Sequence, residues 1–180
     1  MEKEQKWIER CLAEGAYKAS VIEVSRIPFD PGLRKYCEEN SCGHYDSNYA
    51  CPPSCGEPQE VIAKAKSYQK ALVFQTVGQL EDSLDIEGMM EAGKKHKELS
   101  LGVHQWMKEE KRDFLLLTAG GCSLCPVCAK RERKPCRFPE LAFASLEAYC
   151  VNVSSLAPLC GMKYINGQNT VTYFSAVFYN

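Results

Sequence analysis

Four cysteines, Cys122, Cys125, Cys128 and Cys136, fall within 15 residues of this sequence, and the first three are separated by two residues each. Thiolates are soft ligands that suit both iron–sulfur clusters and zinc. A cubane cluster has four iron corners. Successive x2 spacings on a short turning loop can set thiolates on three of them, and a fourth cysteine from farther along completes the set. Bacterial ferredoxins open with the same C-x2-C-x2-C run. Here the fourth cysteine follows after seven residues rather than three, so a ferredoxin fold does not follow. Structural zinc sites favour two separated pairs of ligands, which an unbroken triplet matches less well. The expectation is a [4Fe–4S] cluster on this quartet, with zinc as the alternative. Lys130, Arg131, Arg133, Lys134 and Arg137 lie between or beside the last two cysteines. Cations there would stabilise an anionic cluster and raise its reduction potential. A basic loop can also bind phosphate, but without interleaved aromatic residues nucleic acid is not the expected partner.

A second quartet, Cys37-x4-Cys42-x8-Cys51-x3-Cys55, provides four more thiols. Gly43 and Gly56 permit tight turns beside a cofactor, and Pro52-Pro53 stiffens the path from Cys51 to Cys55. The spacing matches no common zinc or ferredoxin pattern. A second metal centre, [4Fe–4S] ahead of zinc, is the expectation. His44 is a candidate ligand or proton donor, although a loop histidine is more often only a hydrogen-bonding group. Tyr45 and Tyr49 are read as shielding the site. Cys11 falls on an apolar helix face and reads as core, while Cys150 and Cys160 stay open as replacements for a member of the first quartet. No G-x-G-x-x-G or G-x-x-x-x-G-K-[ST] signature accompanies these thiols.

The elements that must position these groups are legible from periodicity. Residues 2–14 read as a helix with Trp7, Ile8, Cys11 and Leu12 on one face, and residues 17–24 as a strand. A loop with the first cysteines runs from Arg26 to Glu57. Pro58, with Glu57 and Glu60, opens a helix to about Tyr68. Ala71–Val77 reads as a strand, and residues 84–110 show the clearest helical period, with His96 on the apolar stripe as a core histidine and His104 on the same helix. Phe114–Thr118 looks like a strand buried on both faces. Pro139-Glu140 predicts a helix to about Tyr149. Thr170–Tyr179 reads as a strand preceded by the hairpin-type turn Asn166-Gly167. Together these predict one layered α/β or α+β domain over residues 1–180, with a mixed sheet flanked by helices and two cysteine-rich metal-binding loops, 37–55 and 122–136.

Composition narrows the setting. A chain of 180 residues, 45% apolar and 25% charged, can bury a core without disulfide staples. A formal charge of −1 gives no general pull toward nucleic acid or anionic membrane. No apolar run reaches the roughly 20 residues of a membrane span, and the charged N-terminus has no signal-peptide core. Eleven cysteines, an odd number, without an export signal fit a reducing compartment, so a cytoplasmic location is expected.

The stretches Cys-Gly-His-Tyr-Asp-Ser-Asn-Tyr-Ala-Cys-Pro-Pro (42–53), Gly-Gly-Cys-Ser-Leu-Cys-Pro-Val-Cys (120–128) and Pro-Cys-Arg-Phe-Pro-Glu (135–140) resemble the prokaryotic domain-of-unknown-function family 2284 of predicted metal-binding proteins. Residues 145–148 and 169–174 also resemble it. The resemblance implies metal binding and no established reaction, substrate or partner. In the family pattern the position of Cys55 is not dependably cysteine, which implies a three-cysteine first site with an open iron as a variant. Three functions therefore compete. The first is an electron carrier with two clusters and a redox partner protein. The second is an enzyme using an open iron at the first group, its small-molecule substrate unknown. The third is a zinc-stabilised interaction module.

Overall fold

The computed structural model describes residues 2–110 and 112–180. The chain runs through helix α1 (Glu2–Ala13), strand β1 (Lys18–Glu23), a short helix α2 (Arg34–Glu38), α3 (Pro58–Lys66), β2 (Lys70–Gln79), α4 (Ile86–Glu109), β3 (Phe114–Leu117), α5 (Val153–Leu159) and β4 (Thr170–Tyr179). The four strands form one open sheet in the order β1-β2-β4-β3. Its centre is the β2–β4 pair, which is in register from Lys70↔Tyr179 to Gln79↔Thr170.

Side chains alternate between the two faces of these strands, and both faces are covered. Leu72, Phe74 and Val177 point into a core with Trp7 and Cys11 of α1 and Leu99, Val103, Trp106 and Met107 of α4. Ala71, Val73, Ala176 and Phe178 point the other way, against Val61 and Ala65 of α3, Leu156 of α5 and Leu146 to Tyr149. Each large apolar side chain fully buried in this way contributes about 2 kcal/mol relative to exposure. Helix α4 lies directly on β2. A Cβ at Gly78 would come within 2.5 Å of the Ala92 Cβ, so the helix approaches to a distance that only glycine allows.

The architecture is α+β. Every strand pair is antiparallel, so the expected mixed sheet is corrected. Continuous apolar runs such as Phe114–Leu117 report burial on two faces but carry no information on strand direction. The Asn166-Gly167 turn, with Gly167 at φ 122°, leads into β4 without a hairpin, because the partners of β4 are β2 and β3.

The helix expected from Pro139 also does not form. Past β3, the Thr118 amide donates to Ala144 O and the Leu146 amide donates to Thr118 O, a parallel bridge that holds residues 144–146 extended. Only a 3-10 turn at Glu147–Tyr149 follows. In its place α5 forms three residues on, capped by Asn152, whose side chain accepts from the Ser155 amide at 3.1 Å. No described helix is long and apolar enough to cross a membrane.

Candidate metal centre

Two backbone closures set the cysteine loops. The Thr118–Ser145 bridge brings residues 119–143 out of the sheet at the end of β3 and returns them to the same point. A second bridge, Phe29↔Val151, is flanked by the Asp30 amide donating to Cys150 O (2.7 Å) and the Asn152 amide donating to Pro28 O (2.8 Å). It anchors the start of the first cysteine loop. All eleven cysteines are free thiols.

The structure brings the second quartet together. Cys122, Cys125, Cys128 and Cys136 line one small cavity, walled by Asn48, Tyr49, Leu124, Ala129, Arg137, Phe138 and Ala142. The thiols surround a space and do not converge on a point. Among the described residues no three His, Cys, Asp or Glu side chains meet closely enough to chelate a single ion. The soft donor set around one cavity fits a group that takes one thiolate at each of four corners. Burial raises the Cys122 thiol above its usual range; an interaction with the Leu124 backbone opposes this, and the three neighbouring cysteines add to it. The Arg137 guanidinium is held above its ordinary pKa first by Cys125; its Nη1 donates to Val127 O at 3.0 Å and its Nη2 pairs with Glu132 at 3.3 Å.

The first quartet is assembled from more scattered parts. Cys37 lies in the last turn of helix α2, a helix within the stretch whose sequence reads as loop, and Cys42, Cys51 and Cys55 follow in successive turns. Cys42 is exposed, whereas the other three are half-buried. Burial pushes the Cys51 thiol up to about 12, reinforced by Cys42, Cys55, Cys37 and, from the other quartet, Cys122. Cys51 therefore feels the charge of both groups.

The loops are docked on each other. Asn48, 2% exposed, donates from Nδ2 to Cys122 O (2.8 Å) while its Oδ1 accepts from the Ala50 amide (3.0 Å). Lys130 pairs with Asp46 (2.8 Å), donates to Ser54 Oγ and lies 6.0 Å from the Tyr49 ring centre. Arg131 donates to Gly43 O (3.2 Å), and Tyr49 Oη donates to Lys134 O (2.8 Å). His44 packs on Gly121, where an added Cβ would come within 3.2 Å of its ring. Much of the basic segment thus fastens one cysteine loop to the other. Tyr49, expected to shield the first group, walls the cavity of the second.

Two residues at the site, Asn48 and Arg34, carry no role in the sequence reading, and a third, Cys150, is one that it leaves open for the first group. Asn48 gives no signal of its role, being one polar loop residue among several. Arg34 is only 5% exposed; its Nη1 donates to Gly56 O (2.9 Å) and its Nη2 to Ala148 O (3.0 Å). Its position three residues before Cys37, on the same helical face, is the signal that could have drawn notice. Cys150, fully buried at the end of the 3-10 turn, lies close to the Arg34 guanidinium. Cys11 and Cys160 are core thiols, raised by burial to about 12 and about 11.

Behind the second loop, His96 is buried between α4 and the sheet. Its Nδ1 meets Thr76 Oγ1 (2.8 Å) and its Nε2 meets Ser175 Oγ (2.7 Å). Ser175 in turn donates to Thr118 Oγ1 (3.0 Å) at the root of the loop. Burial drives the His96 pKa down to about 4, with Lys97 adding to the shift, so His96 is a neutral structural histidine.

Fold and site together define a cysteine-rich α+β protein whose two thiol groups occupy adjoining, interlocked loops. The chain belongs to the family of predicted metal-binding proteins DUF2284, whose family model matches residues 20–179. No curated protein and no solved structure matches it.

Proposed function

We propose that this metal-binding protein is an iron–sulfur protein with two [4Fe–4S] clusters that transfers electrons to or from a redox partner. Cys122, Cys125, Cys128 and Cys136 would hold one cluster, and the group of Cys37, Cys42, Cys51 and Cys55 the other. The observation that carries the proposal is the cavity lined by all four thiols of the second group. Zinc draws four donors onto one ion, whereas a cubane needs them spread around a volume. Such clusters supply one-electron redox chemistry when bound.

The chain's own residues do the rest. Arg137, which walls the cavity of the second group, places positive charge where an anionic centre would form. Asn48 and Lys130 hold the two thiol groups next to each other, the arrangement that exchange of electrons between them needs. Leu124, Val127 and Phe138 leave large apolar side chains exposed around the second group, a surface suited to a transient protein partner. Lys130 and Arg131 are engaged within the protein, which leaves the loop poorly equipped to track a nucleic-acid backbone.

The test is composition and spectroscopy after anaerobic purification. About eight irons and eight sulfides per chain are expected, with reduced-cluster EPR signals. Colourless protein with stoichiometric zinc would sink the proposal.

A further inference from the structure

Helix α4 carries two buried histidines, two turns apart, in different settings. His96 has both ring nitrogens committed, to Thr76 and Ser175. His104 is 8% exposed, and among the described residues neither of its ring nitrogens has a hydrogen-bond partner. Its ring packs instead on two phenylalanines, with ring centres 5.4 Å from Phe114 and 4.9 Å from Phe143. Burial lowers its pKa, so the imidazole is neutral at pH 7, with one nitrogen to donate and one to accept. Buried polar groups are normally hydrogen-bonded, and leaving one without a partner costs stability. A ligand that supplies the missing bond gives such a group a purpose.

His104 lines a cavity of about 510 Å³, within the range that holds small-molecule ligands. The cavity is walled by the end strand β3, the C-terminal part of α4 and residues of the returning segment 139–144. Leu115, Leu117, Pro139 and Phe143 give it apolar surface. Lys108 follows His104 by one turn, so imidazole and ammonium lie along one ridge of α4 and line the same space. The contact of Lys108 with Glu140, at 3.0 Å, is exposed on both sides, and solvent weakens it. Lys64 lines the cavity from α3 and makes no ion pair among the described residues. Arg112 adds a further cation, anchored to Asn180 O and 3.8 Å from Glu110, which Lys3 holds more closely at 2.6 Å.

We propose that this cavity binds a small organic acid with an apolar body, whose carboxylate meets His104 and Lys108 while the body packs on Phe143 and the side chains of β3. The carboxylate accepts from the imidazole N–H and from the ammonium, two bonds that one charged group can take together. Cys55 also lines the cavity, so the acid binds beside the first cysteine group. Binding requires no particular metal there, and the inference stands apart from the cluster proposal.

The experiment titrates the anaerobically purified protein by calorimetry with benzoate, benzyl alcohol, benzylamine and inorganic phosphate. Benzoate is expected to bind, and the other three at least about tenfold more weakly. His104→Phe and Lys108→Met should each weaken benzoate about tenfold, and His104→Gln, which keeps a donor, should recover part of the loss. His104→Phe should melt no lower than wild type, because it fills an apolar setting without stranding a polar group. Lys108 is exposed, so Lys108→Met reads binding in an intact fold. Wild type that binds no benzoate, or His104→Phe and Lys108→Met that bind it as wild type does, overturns the site. Benzyl alcohol, benzylamine or phosphate binding as tightly as benzoate overturns the ligand class. A clear drop in the melting temperature of His104→Phe makes His104 a packing residue and overturns its assignment.

Discussion

The two cysteine groups solve the same problem in different ways. The second is local: four thiols within one loop, closed at its base by a single bridge between Thr118 and Ser145, lining one cavity. The first is tertiary. It draws on a helix, two turns and a buried arginine that also reaches the Ala148 carbonyl across 114 residues of sequence. A local site is specified by spacing and can be read from it. A tertiary site is specified by whatever brings distant segments together, and its spacing can look irregular while its geometry is well defined.

The largest expected effect separates the groups outright. Cys128→Ser and Cys51→Ser should each remove about half of the iron taken up on reconstitution, and the double variant nearly all of it. Iron and sulfide analysis checks this. If the second group is as local as its geometry suggests, its EPR signal survives in Cys51→Ser although Cys51 and Cys122 influence each other electrostatically. Loss of both signals in that variant would make the two groups one cooperative unit.

Next comes the scaffold behind the second group. His96 has a pKa lowered from 6.5 to about 4 by burial. Below pH 6.5 the unfolded chain therefore takes up a proton that the folded protein refuses. Stability falls as pH drops from 6.5 to about 4 and gains no further loss from this group below that. The full loss is about 3 kcal/mol, at 1.36 kcal/mol per pH unit. Denaturant unfolding of the metal-free protein between pH 7 and pH 4.5 checks it. His96→Gln should be less stable at pH 7 and flatter with pH. An unchanged slope in that variant would contradict the assignment of His96 as a buried neutral group.

What the sequence made legible follows the same division. β4 was readable residue for residue, because Thr170–Tyr179 alternates between two buried faces without an interrupting Gly or Pro. Cys122, Cys125 and Cys128, which their spacing groups, line one cavity because the three thiols belong to one turning loop. Helix α5 was missed although Val153, Leu156 and Ala157 carry the i, i+3, i+4 pattern, since Ser154, Ser155 and Pro158 disguise it. Pro139-Glu140 misled in the opposite sense. The local start signal is real, but pairing with Thr118 claims the backbone of residues 144–146. The environment of Arg34 lay beyond sequence reading, because nothing near residue 34 announces contact with residue 148.

The seam between the groups offers a smaller perturbation. Asn48→Ala strands the Cys122 carbonyl and the Ala50 amide in a buried setting, which costs about 1–3 kcal/mol. Chemical denaturation of metal-free wild type and variant measures the loss. Asn48→Asp keeps the acceptor for Ala50 but not the donor to Cys122, so its loss should be comparable if the bond across the seam dominates. A fully stable Asn48→Asp would mean that the cap within the first loop matters and the link to the second does not.

The smallest expected effect decides what the basic residues are for. Lys130 bonds Asp46 and Ser54, but Asp46 is 68% exposed on its side chain, so solvent screens the pair. A double-mutant cycle between Lys130→Ala and Asp46→Ala should give a coupling of about 0.5 kcal/mol, shrinking as salt is added. Lys130 should leave the reduction potential of the second centre nearly unchanged, because its charge is spent across the seam. Arg137→Ala should lower that potential, since the Arg137 guanidinium lies among the second-group thiols, walling their cavity, and its cation favours the more negative, reduced state. The opposite ranking, with Lys130 moving the potential and Arg137 not, would show that the basic run acts through its overall charge and not through where each side chain is anchored.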